Sequence, residues 1–245
     1  MTTNERPSFG GSGYITMEVK DRIIITVHSE QSDVSEKKIS VKKKPVYSFF
    51  KRTFDIIASL LGLILLALPI LIIAVIIMID SPGASPIYVQ ERVGKNGRKF
   101  KFYKFRSMIP NAEKMLDDLL EKNEMEGPAF KMKDDPRITR FGHFIRKTSI
   151  DELPQLLNIL KGDMSLVGPR PPIPREVAMY TEYHHQRLLV TPGLTCYWQI
   201  QPKRNSLSFD EWLSWDLKYI SERNFWTDIK ILFLTIGAVL GMEGE

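Results

Sequence analysis

The sequence predicts an α+β fold, mostly helical, in which a re-entrant, membrane-embedded helix-break-helix joins a small cytoplasmic domain of helices and short strands. Three observations predict it. A long uncharged apolar run contains a central proline, positive charge flanks that run on both sides, and short β-prone stretches alternate with helical ones in the remainder. We therefore divide the chain into an N-terminal extension (1–45), a membrane segment with its lead-in (46–81) and a cytoplasmic domain (82–245).

The N-terminal extension opens with polar residues 1–13, which contain no apolar core, so we expect neither a signal peptide nor an ordered structure there. Two β-prone runs, 14–19 and 22–27, are separated by a Lys-Asp pair and predict a β-hairpin. Residues 29–44 form a polar, lysine-rich linker.

The apolar segment from Ile56 to Ile79 carries no charge and is long enough to cross a bilayer as a helix. However, cytoplasmic flanks of membrane helices are rich in Lys and Arg, and here both flanks are basic. Pro69 removes a helical hydrogen bond and kinks the helix. We therefore favour a segment that dips into one leaflet and returns, over a kinked single-pass anchor. The aromatic and cationic residues 46–52 predict an interfacial lead-in.

The cytoplasmic domain reads as a mixture of short strands and helices. Residues 86–90 and 99–105 predict strands around a turn at Gly94–Gly97. We expect helices at 111–123, 153–160, 174–190, 209–222 and 226–242. The last contains an apolar run too short to span a membrane comfortably, which fits a core helix or a helix lying in the membrane interface.

The composition of the chain limits the classes of binding partner that we expect. The formal net charge is +5 and the pI about 9.1, which indicates an anionic partner: nucleic acid, a phosphate-bearing substrate or an anionic membrane surface. The single cysteine, Cys196, excludes an internal disulfide and fits a reducing compartment. The chain has no metal-binding cluster of Cys or His, and His184 and His185 lie in a polar stretch where we expect exposure.

The adjacent carboxylates Asp151 and Glu152 are the strongest candidates for chemistry. Ser149 and Glu152 have the spacing of a capping box, and Pro154 is tolerated in a first helical turn, so capping alone explains the pattern. A helix N-terminus also keeps a carboxylate ionised. An ionised Asp151 is able to attack phosphorus, and the pair is able to hold Mg²⁺ beside substrate phosphates.

Several cationic and polar residues are candidates for phosphate or substrate binding. Arg170 stands in a Gly-Pro-Arg-Pro-Pro turn, where a fixed guanidinium suits bidentate phosphate recognition. Arg146 precedes the carboxylates, and ordinary surface or membrane-facing charge is the alternative explanation for it and, less readily, for Arg170. Arg204 and Asn205 offer contacts to phosphate or ribose. Asp216 serves the site or pairs locally with Lys218 or Arg223. Tyr197 and Trp198 are aromatic candidates for base or sugar packing, or core residues.

Several motifs occur in a fixed order along the chain. They are Lys51-Arg-Thr-Phe-Asp55 with the apolar segment, Phe102-Tyr-Lys-Phe-Arg-Ser-Met108, Arg146-Lys-Thr-Ser-Ile-Asp-Glu-Leu-Pro-Gln155, Lys161-Gly-Asp-Met-Ser-Leu-Val-Gly-Pro-Arg-Pro171, Thr191-Pro-Gly-Leu-Thr195 and Asp228-Ile-Lys-Ile-Leu-Phe-Leu-Thr235. This order closely resembles the bacterial sugar transferases, the monotopic phosphoglycosyl transferases, from about Val46 to Met242.

The resemblance implies an enzyme on the cytoplasmic face of the bacterial inner membrane, with membrane lipid around its re-entrant helix. It implies transfer of sugar-1-phosphate from a nucleotide diphosphate sugar, such as a UDP-sugar, to polyprenol (undecaprenyl) phosphate, initiating glycan assembly. Asp151 would be the nucleophile, and Glu152 would assist at Mg²⁺ or in proton handling. Arg146 and Arg170 would bind phosphates or shape the site. Nucleic acid is not an expected partner, and a homodimer stays open.

Two positions depart from the family pattern. Leu68 replaces the serine that many members carry before the membrane proline, and Cys196-Tyr-Trp-Gln199 replaces Gly-Trp-Ala-Gln. The rival hypotheses are a non-catalytic membrane adaptor whose basic flanks bind anionic lipid, and a single-pass transferase or phosphatase using the same carboxylates. The sugar, the pathway and the role of residues 1–45 stay open.

Overall fold

The computed structural model describes residues 14–19, 23–28, 39, 41–201 and 204–241, and it separates into two compact units, 1–37 and 38–245. The first unit contains an antiparallel hairpin of β1 (Tyr14–Val19) and β2 (Ile23–His28). The hairpin prediction is confirmed, with its second strand one residue later than expected. The predicted disorder at 1–13 and most of the linker fall outside the described residues.

The second unit begins with two helices, α1 (Pro45–Leu65) and α2 (Ala67–Asp80), which bend by 63° at Leu66. The break therefore comes before Pro69, the residue at which the sequence placed it. Pro69 lies in the first turn of α2, where no helical partner is needed for the N–H that proline lacks. The predicted lead-in is also helical, because α1 includes residues 46–52 without interruption.

The two helices expose an apolar surface along most of their length. Leu65 and Ile79 keep 77% and 75% of their surface exposed, and much of the apolar run behaves similarly. In the described part of the chain no single helix is long and apolar enough to cross a membrane. The bent pair passes that test of length and composition when its two helices are taken together.

A two-stranded antiparallel sheet follows, made of β3 (Ile87–Val93) and β4 (Lys99–Phe105). The predicted strands and turn are confirmed. Asn96 and Gly97 take left-handed backbone angles in the turn, with φ of 55° and 80°. Phe100, Phe102 and Phe105 on β4 are buried, so this strand provides one wall of the core.

A second small sheet pairs β5 (Ser165–Val167) with β6 (Gly193–Thr195) in parallel. A Cβ atom added at Gly193 would lie 2.0 Å from the backbone nitrogen of Gly168. The Thr-Pro-Gly-Leu-Thr motif therefore needs glycine at this position, because only glycine lets the two backbones approach so closely.

The remaining helices confirm some predictions and correct others. They are α3 (Leu116–Leu119), α4 (Arg140–Lys147), α5 (Gln155–Lys161), α6 (Pro174–Val177), α7 (Glu182–His185), α8 (Phe209–Glu222) and α9 (Phe225–Leu240). The helices predicted at 153–160, 209–222 and 226–242 are confirmed within two residues at each end.

The helices predicted at 111–123 and 174–190 are wrong as single helices. The first contains one α-helical turn, α3, between 3₁₀ turns, because few of its residues are buried and little packing supports a longer helix. The second is interrupted at Thr181, whose side chain accepts from the backbone N–H of His184 and starts α7 afresh.

Polar contacts attach α1 to the rest of the second unit. Arg52 donates to the backbone carbonyls of Ile159 and Leu160 at the end of α5. Asp55 is buried and accepts the backbone N–H of Leu166 on β5 at 3.0 Å. Lys51 forms an ion pair with Asp228 on α9 at 2.8 Å. The Lys-Arg-Thr-Phe-Asp motif thus fixes the apolar helix against three elements of the domain.

Candidate active site

The two candidate carboxylates lie in a 3₁₀ turn, Ile150–Glu152, between α4 and α5. Asp151 is buried with 6% of its surface exposed, whereas Glu152 is half-buried. The predicted capping box is wrong, because Ser149 has left-handed backbone angles (φ 55°) and its side chain makes no cap hydrogen bond. Its carbonyl accepts from the backbone N–H of Glu152 instead. The turn thus presents Asp151 to the interior, free of a capping role.

Lys104 on β4 is the closest basic partner of this carboxylate. Its Nζ lies 3.6 Å from Oδ2 of Asp151. Asn158 on α5 holds the two elements together, since its side chain donates to the carbonyl of Lys101 at 2.6 Å and accepts from the N–H of Tyr103 at 3.1 Å. Because Asn158 is fully buried, these bonds fix the position of α5, and of the turn before it, against β4.

Arg146 reaches the site from α4. Its Nε donates to Oγ of the buried Ser107 at 2.9 Å, just beyond the end of β4. The helix approaches this strand closely, because a Cβ atom added at Gly142 would lie 2.0 Å from the carbonyl oxygen of Ser107. The guanidinium of Arg146 also acts electrostatically on Lys104 of β4.

The turn that carries Arg170 is held at four consecutive carbonyl oxygens. Those of Pro169 and Pro172 accept from the backbone N–H groups of Gly193 and Val93, each at 2.9 Å. Those of Arg170 and Pro171 accept from the guanidinium groups of Arg187 and Arg92, at 3.4 and 2.9 Å. The rigid turn that the sequence predicted therefore owes its rigidity to bonds from three separate segments as well as to its prolines.

Three guanidinium groups act electrostatically on Lys104, the lysine that pairs with Asp151. Burial lowers the pKa of Lys104, Asp151 opposes that effect, and the guanidinium groups of Arg146, Arg92 and Arg170 lower the pKa further. Burial and the charge of Arg170 also lower the pKa of Arg92 to about 10. So dense a set of positive charges, with one buried carboxylate among them, favours a ligand with several negative charges.

Two members of this set, Arg92 and Lys104, were not among the predicted site residues. In the sequence they belong to the basic flank after the apolar segment, and no local pattern distinguishes them from the other Lys and Arg residues of that flank. The alternation of β4 offered a partial signal, because Phe102 is buried on the same strand face as Lys104.

Asp216 pairs with neither Lys218 nor Arg223, so the predicted local pairing is wrong. Its Oδ2 accepts from Arg187 at 2.5 Å, and both side chains are almost completely buried. Burial alone would lower the pKa of Arg187, but the carboxylate beside it outweighs that effect and raises the pKa. Arg187 also donates to the hydroxyl of Tyr180 and to the carbonyl of Arg170. Asp216 is therefore connected through Arg187 to the carbonyl of Arg170.

The remaining candidates lie further along the chain. Arg204 begins a 3₁₀ turn, Arg204–Ser206, and donates to the carbonyl of Gln199 at 3.0 Å. Asn205 is in the same turn, but its side chain falls outside the described part. Trp198 stacks on Trp212 with ring centroids 4.5 Å apart and is buried, which makes it a core residue.

The donors available for a divalent cation are Asp151 and Glu152. Among the described residues no group of three or more His, Cys, Asp or Glu side chains is arranged to hold a metal ion. Two neighbouring carboxylates nevertheless fit Mg²⁺, which usually keeps several waters and takes one or two carboxylates together with substrate phosphates.

The chain is thus an α+β protein in which a buried carboxylate, paired with a lysine, lies on a domain joined to a bent pair of apolar helices. Comparison with known proteins identifies the family to which the chain belongs. Residues 46–242 match the family model described as bacterial sugar transferase. The chain belongs to the bacterial sugar transferase family, and the resemblance inferred from its motifs is confirmed.

Individual relatives agree with this assignment. The chain is 50% identical over 190 residues to the galactosyl transferase CpsE of Streptococcus agalactiae, covering 78% of this chain and 42% of that protein. It is 44% identical over 200 residues to the undecaprenyl-phosphate galactose phosphotransferase of Salmonella typhimurium, covering 80% and 41%.

A further relative is more similar in length. The exopolysaccharide production protein ExoY of Sinorhizobium fredii is 38% identical over 206 residues, which cover 82% of this chain and 90% of ExoY. The matched region thus spans only about two fifths of the first two relatives, but nearly all of ExoY.

Proposed function

We propose that the chain transfers sugar-1-phosphate from a nucleotide diphosphate sugar to polyprenol phosphate, through a phosphosugar covalently bound to Asp151. The observation that carries this proposal is the buried carboxylate of Asp151, which lies 3.6 Å from Lys104. The guanidinium groups of Arg92, Arg146 and Arg170 act electrostatically on that lysine. A diphosphate has the charge that these cations favour, and bound there it would lie beside the nucleophile.

The reaction has two steps. An Asp151 carboxylate oxygen attacks the phosphorus that bears the sugar, and the bond from that phosphorus to the bridging oxygen breaks, so nucleoside monophosphate leaves. A phosphate oxygen of polyprenol phosphate then attacks the same phosphorus and displaces Asp151. The product is a polyprenyl diphosphosugar, and the carboxylate is regenerated.

The residues of the site divide this work. Lys104 holds the nucleophilic carboxylate in place and lies where negative charge gathers as the phosphorus is attacked. Arg170 and Arg146 bind phosphate oxygens in fixed positions. Arg170 is positioned by the turn whose four carbonyl oxygens accept hydrogen bonds. Asp151 and Glu152 would hold Mg²⁺ when it is bound, and the cation would neutralise phosphate charge. Glu152 would otherwise serve in proton handling.

We further propose that α1 and α2 dip into the cytoplasmic leaflet of the bacterial inner membrane and return. Their 63° bend, their exposed apolar surface and the basic residues at both ends support this topology. In a Cys196→Ala background, cysteines placed at Phe54 and Ala84 should resist a membrane-impermeant thiol reagent added outside cells. Labelling of either position would contradict the dip and favour a single-pass anchor.

The names of three relatives contain the word galactose or galactosyl, and the name of a fourth, from Aeromonas hydrophila, contains N-acetylgalactosamine. UDP-galactose is therefore the first donor to test, beside UDP-N-acetylgalactosamine and UDP-glucose. With purified protein, Mg²⁺ and undecaprenyl phosphate, one of these donors should release UMP with ping-pong kinetics. A non-catalytic adaptor would bind anionic lipid without releasing UMP from any of them.

A further inference from the structure

A cleft of about 480 Å³ lies at the opposite end of α5 from Asp151. Gly162, which follows the last residue of α5, lines the cleft, whereas Asp151 lies before the first residue of that helix. The rise of the helix therefore separates Gly162 from Asp151 by about 15 Å. The other walls come from the segment 41–52 at the start of α1, from Lys95 in the β3–β4 turn, and from Thr191 and Arg223. None of these residues belongs to the proposed catalytic set.

The cleft is strongly basic. Its cationic lining residues are Lys42, Lys43, Lys44, Lys51, Arg52, Lys95 and Arg223. Among the lining residues that the structure describes, one is acidic, Asp55. Asp55 is directed to the backbone N–H of Leu166. Lys51 is balanced by Asp228 at 2.8 Å.

Within the part of the chain that the structure describes, the other fixed cations are oriented by carbonyl oxygens and form no ion pair. Lys44 donates to the carbonyl of Arg223 at 2.7 Å, and Arg223 donates to the carbonyls of Ile220 and Lys42. Arg52 donates to two carbonyls at the end of α5. Carbonyl oxygens orient a cation but carry no formal charge, so the positive charge of the cleft persists and favours an anion.

The position of the cleft indicates which anion. It opens at the first turns of α1, whose other side exposes Phe49 and Phe50, at 68% and 58%. Aromatic residues beside cations are typical of the headgroup level of a membrane, where the phosphate of a lipid lies. We infer that this cleft binds the phosphate headgroup of an anionic phospholipid, an inference that rests on the proposed membrane dip of α1 and α2.

Short-chain phosphatidylglycerol provides the probe, titrated calorimetrically into the full chain in neutral detergent. Short-chain phosphatidylcholine and inorganic phosphate are titrated in parallel. The test variant is Lys42→Gln/Lys43→Gln/Lys95→Gln, which removes three exposed cations from the cleft. The matched control, Lys114→Gln/Lys122→Gln/Lys133→Gln, removes the same charge from exposed positions elsewhere.

Phosphatidylglycerol should bind the parent and the control alike, and the cleft variant about ten-fold more weakly or worse, because each lysine near an anionic lipid contributes to affinity. Phosphatidylcholine should bind no more tightly to the parent than to the cleft variant. Equal weakening in cleft variant and control, or no binding of phosphatidylglycerol to the parent, would overturn the inference. Inorganic phosphate binding as tightly as the lipid would overturn it in favour of a free-phosphate site.

This result is separable from the proposed chemistry. The cleft variant should still form a phosphosugar on Asp151 in detergent without anionic lipid, since its substitutions lie outside the catalytic set. Loss of lipid binding with an intact adduct supports the cleft. A chain that forms no adduct yet selects phosphatidylglycerol through the cleft would contradict the proposed function alone.

Discussion

Nζ of Lys104 lies 3.6 Å from Oδ2 of Asp151, and the two residues belong to elements that are separated in sequence and joined by Asn158. The pair gives the carboxylate a fixed orientation in a buried site. In the proposed mechanism the same lysine would also stabilise the negative charge that gathers when Asp151 attacks an anionic diphosphate.

Lys104→Gln should lower kcat/KM for UMP release by about 10²-fold or more, the usual effect of losing one electrostatic contact to a transition state. Lys104→Arg should retain part of the activity, because a positive charge stays near Asp151. Lys101→Gln, on the same strand but exposed, is the control and should match the parent. Full activity in Lys104→Gln would show that the ion pair is structural only.

Asn158→Ala should destabilise the fold and slow turnover together. The substitution leaves the N–H of Tyr103 and the carbonyl of Lys101 without their side-chain partner, and a buried polar group left unpaired costs about 1–3 kcal/mol. Chemical denaturation gives the change in the free energy of unfolding. Leu157→Ala, at an exposed position of the same helix, should leave both stability and rate unchanged.

The Arg187–Asp216 pair is open to a double-mutant cycle. Asp216→Asn leaves the guanidinium of Arg187 buried without its counter-charge, and breaking a buried ion pair at one partner costs about 3–5 kcal/mol. Arg187→Met/Asp216→Leu should recover much of that stability, because it buries no charge. The double variant should nevertheless raise KM for the nucleotide sugar, since the carbonyl of Arg170 loses its donor.

A KM that stays at the parent value in the stable double variant would show that Arg187 does not position the Arg170 turn. In that case the pair would contribute to folding alone.

Removal of divalent cations tests the proposed Mg²⁺ site. Chelation with EDTA should stop UMP release, and added Mg²⁺ should restore it. Glu152→Gln should raise the Mg²⁺ concentration needed for half-maximal rate, because one of two oxygen donors loses its charge. Glu126→Gln, at an exposed position away from the turn, should leave that concentration unchanged. An identical Mg²⁺ dependence in Glu152→Gln and the parent would remove Glu152 from the metal site.

Local patterns predicted the parts of this molecule that depend on neighbours in sequence. The alternating strand around Phe102 and the turn at Gly97 follow from residues a few positions apart. The prolines around Arg170 likewise predicted a constrained turn, although distant segments also hold it. The adjacency of Asp151 and Glu152 was likewise visible, together with their place at the start of a short helix.

Contacts between distant segments could not be predicted in the same way. Lys104 meets Asp151 only because Asn158 holds α5 on β4, and Arg187 meets Asp216 only because α8 packs beside the 3₁₀ turn that follows α7. The capping box failed because Ser149 takes a left-handed conformation, which its sequence does not require. Pro69 correctly indicated that the apolar segment bends. The bend itself lies at Leu66, because the first turn of α2 accommodates the proline.

Intact-protein mass spectrometry, after incubation with Mg²⁺ and each UDP-sugar without polyprenol phosphate, tests the proposed covalent intermediate directly. The mass should increase by one sugar-phosphate group, mapped by proteolysis to Asp151. The increase should be absent in Asp151→Asn and should disappear when undecaprenyl phosphate is added. An adduct on another residue, or turnover at the parent rate in Asp151→Asn, would contradict the assignment of Asp151 as the nucleophile.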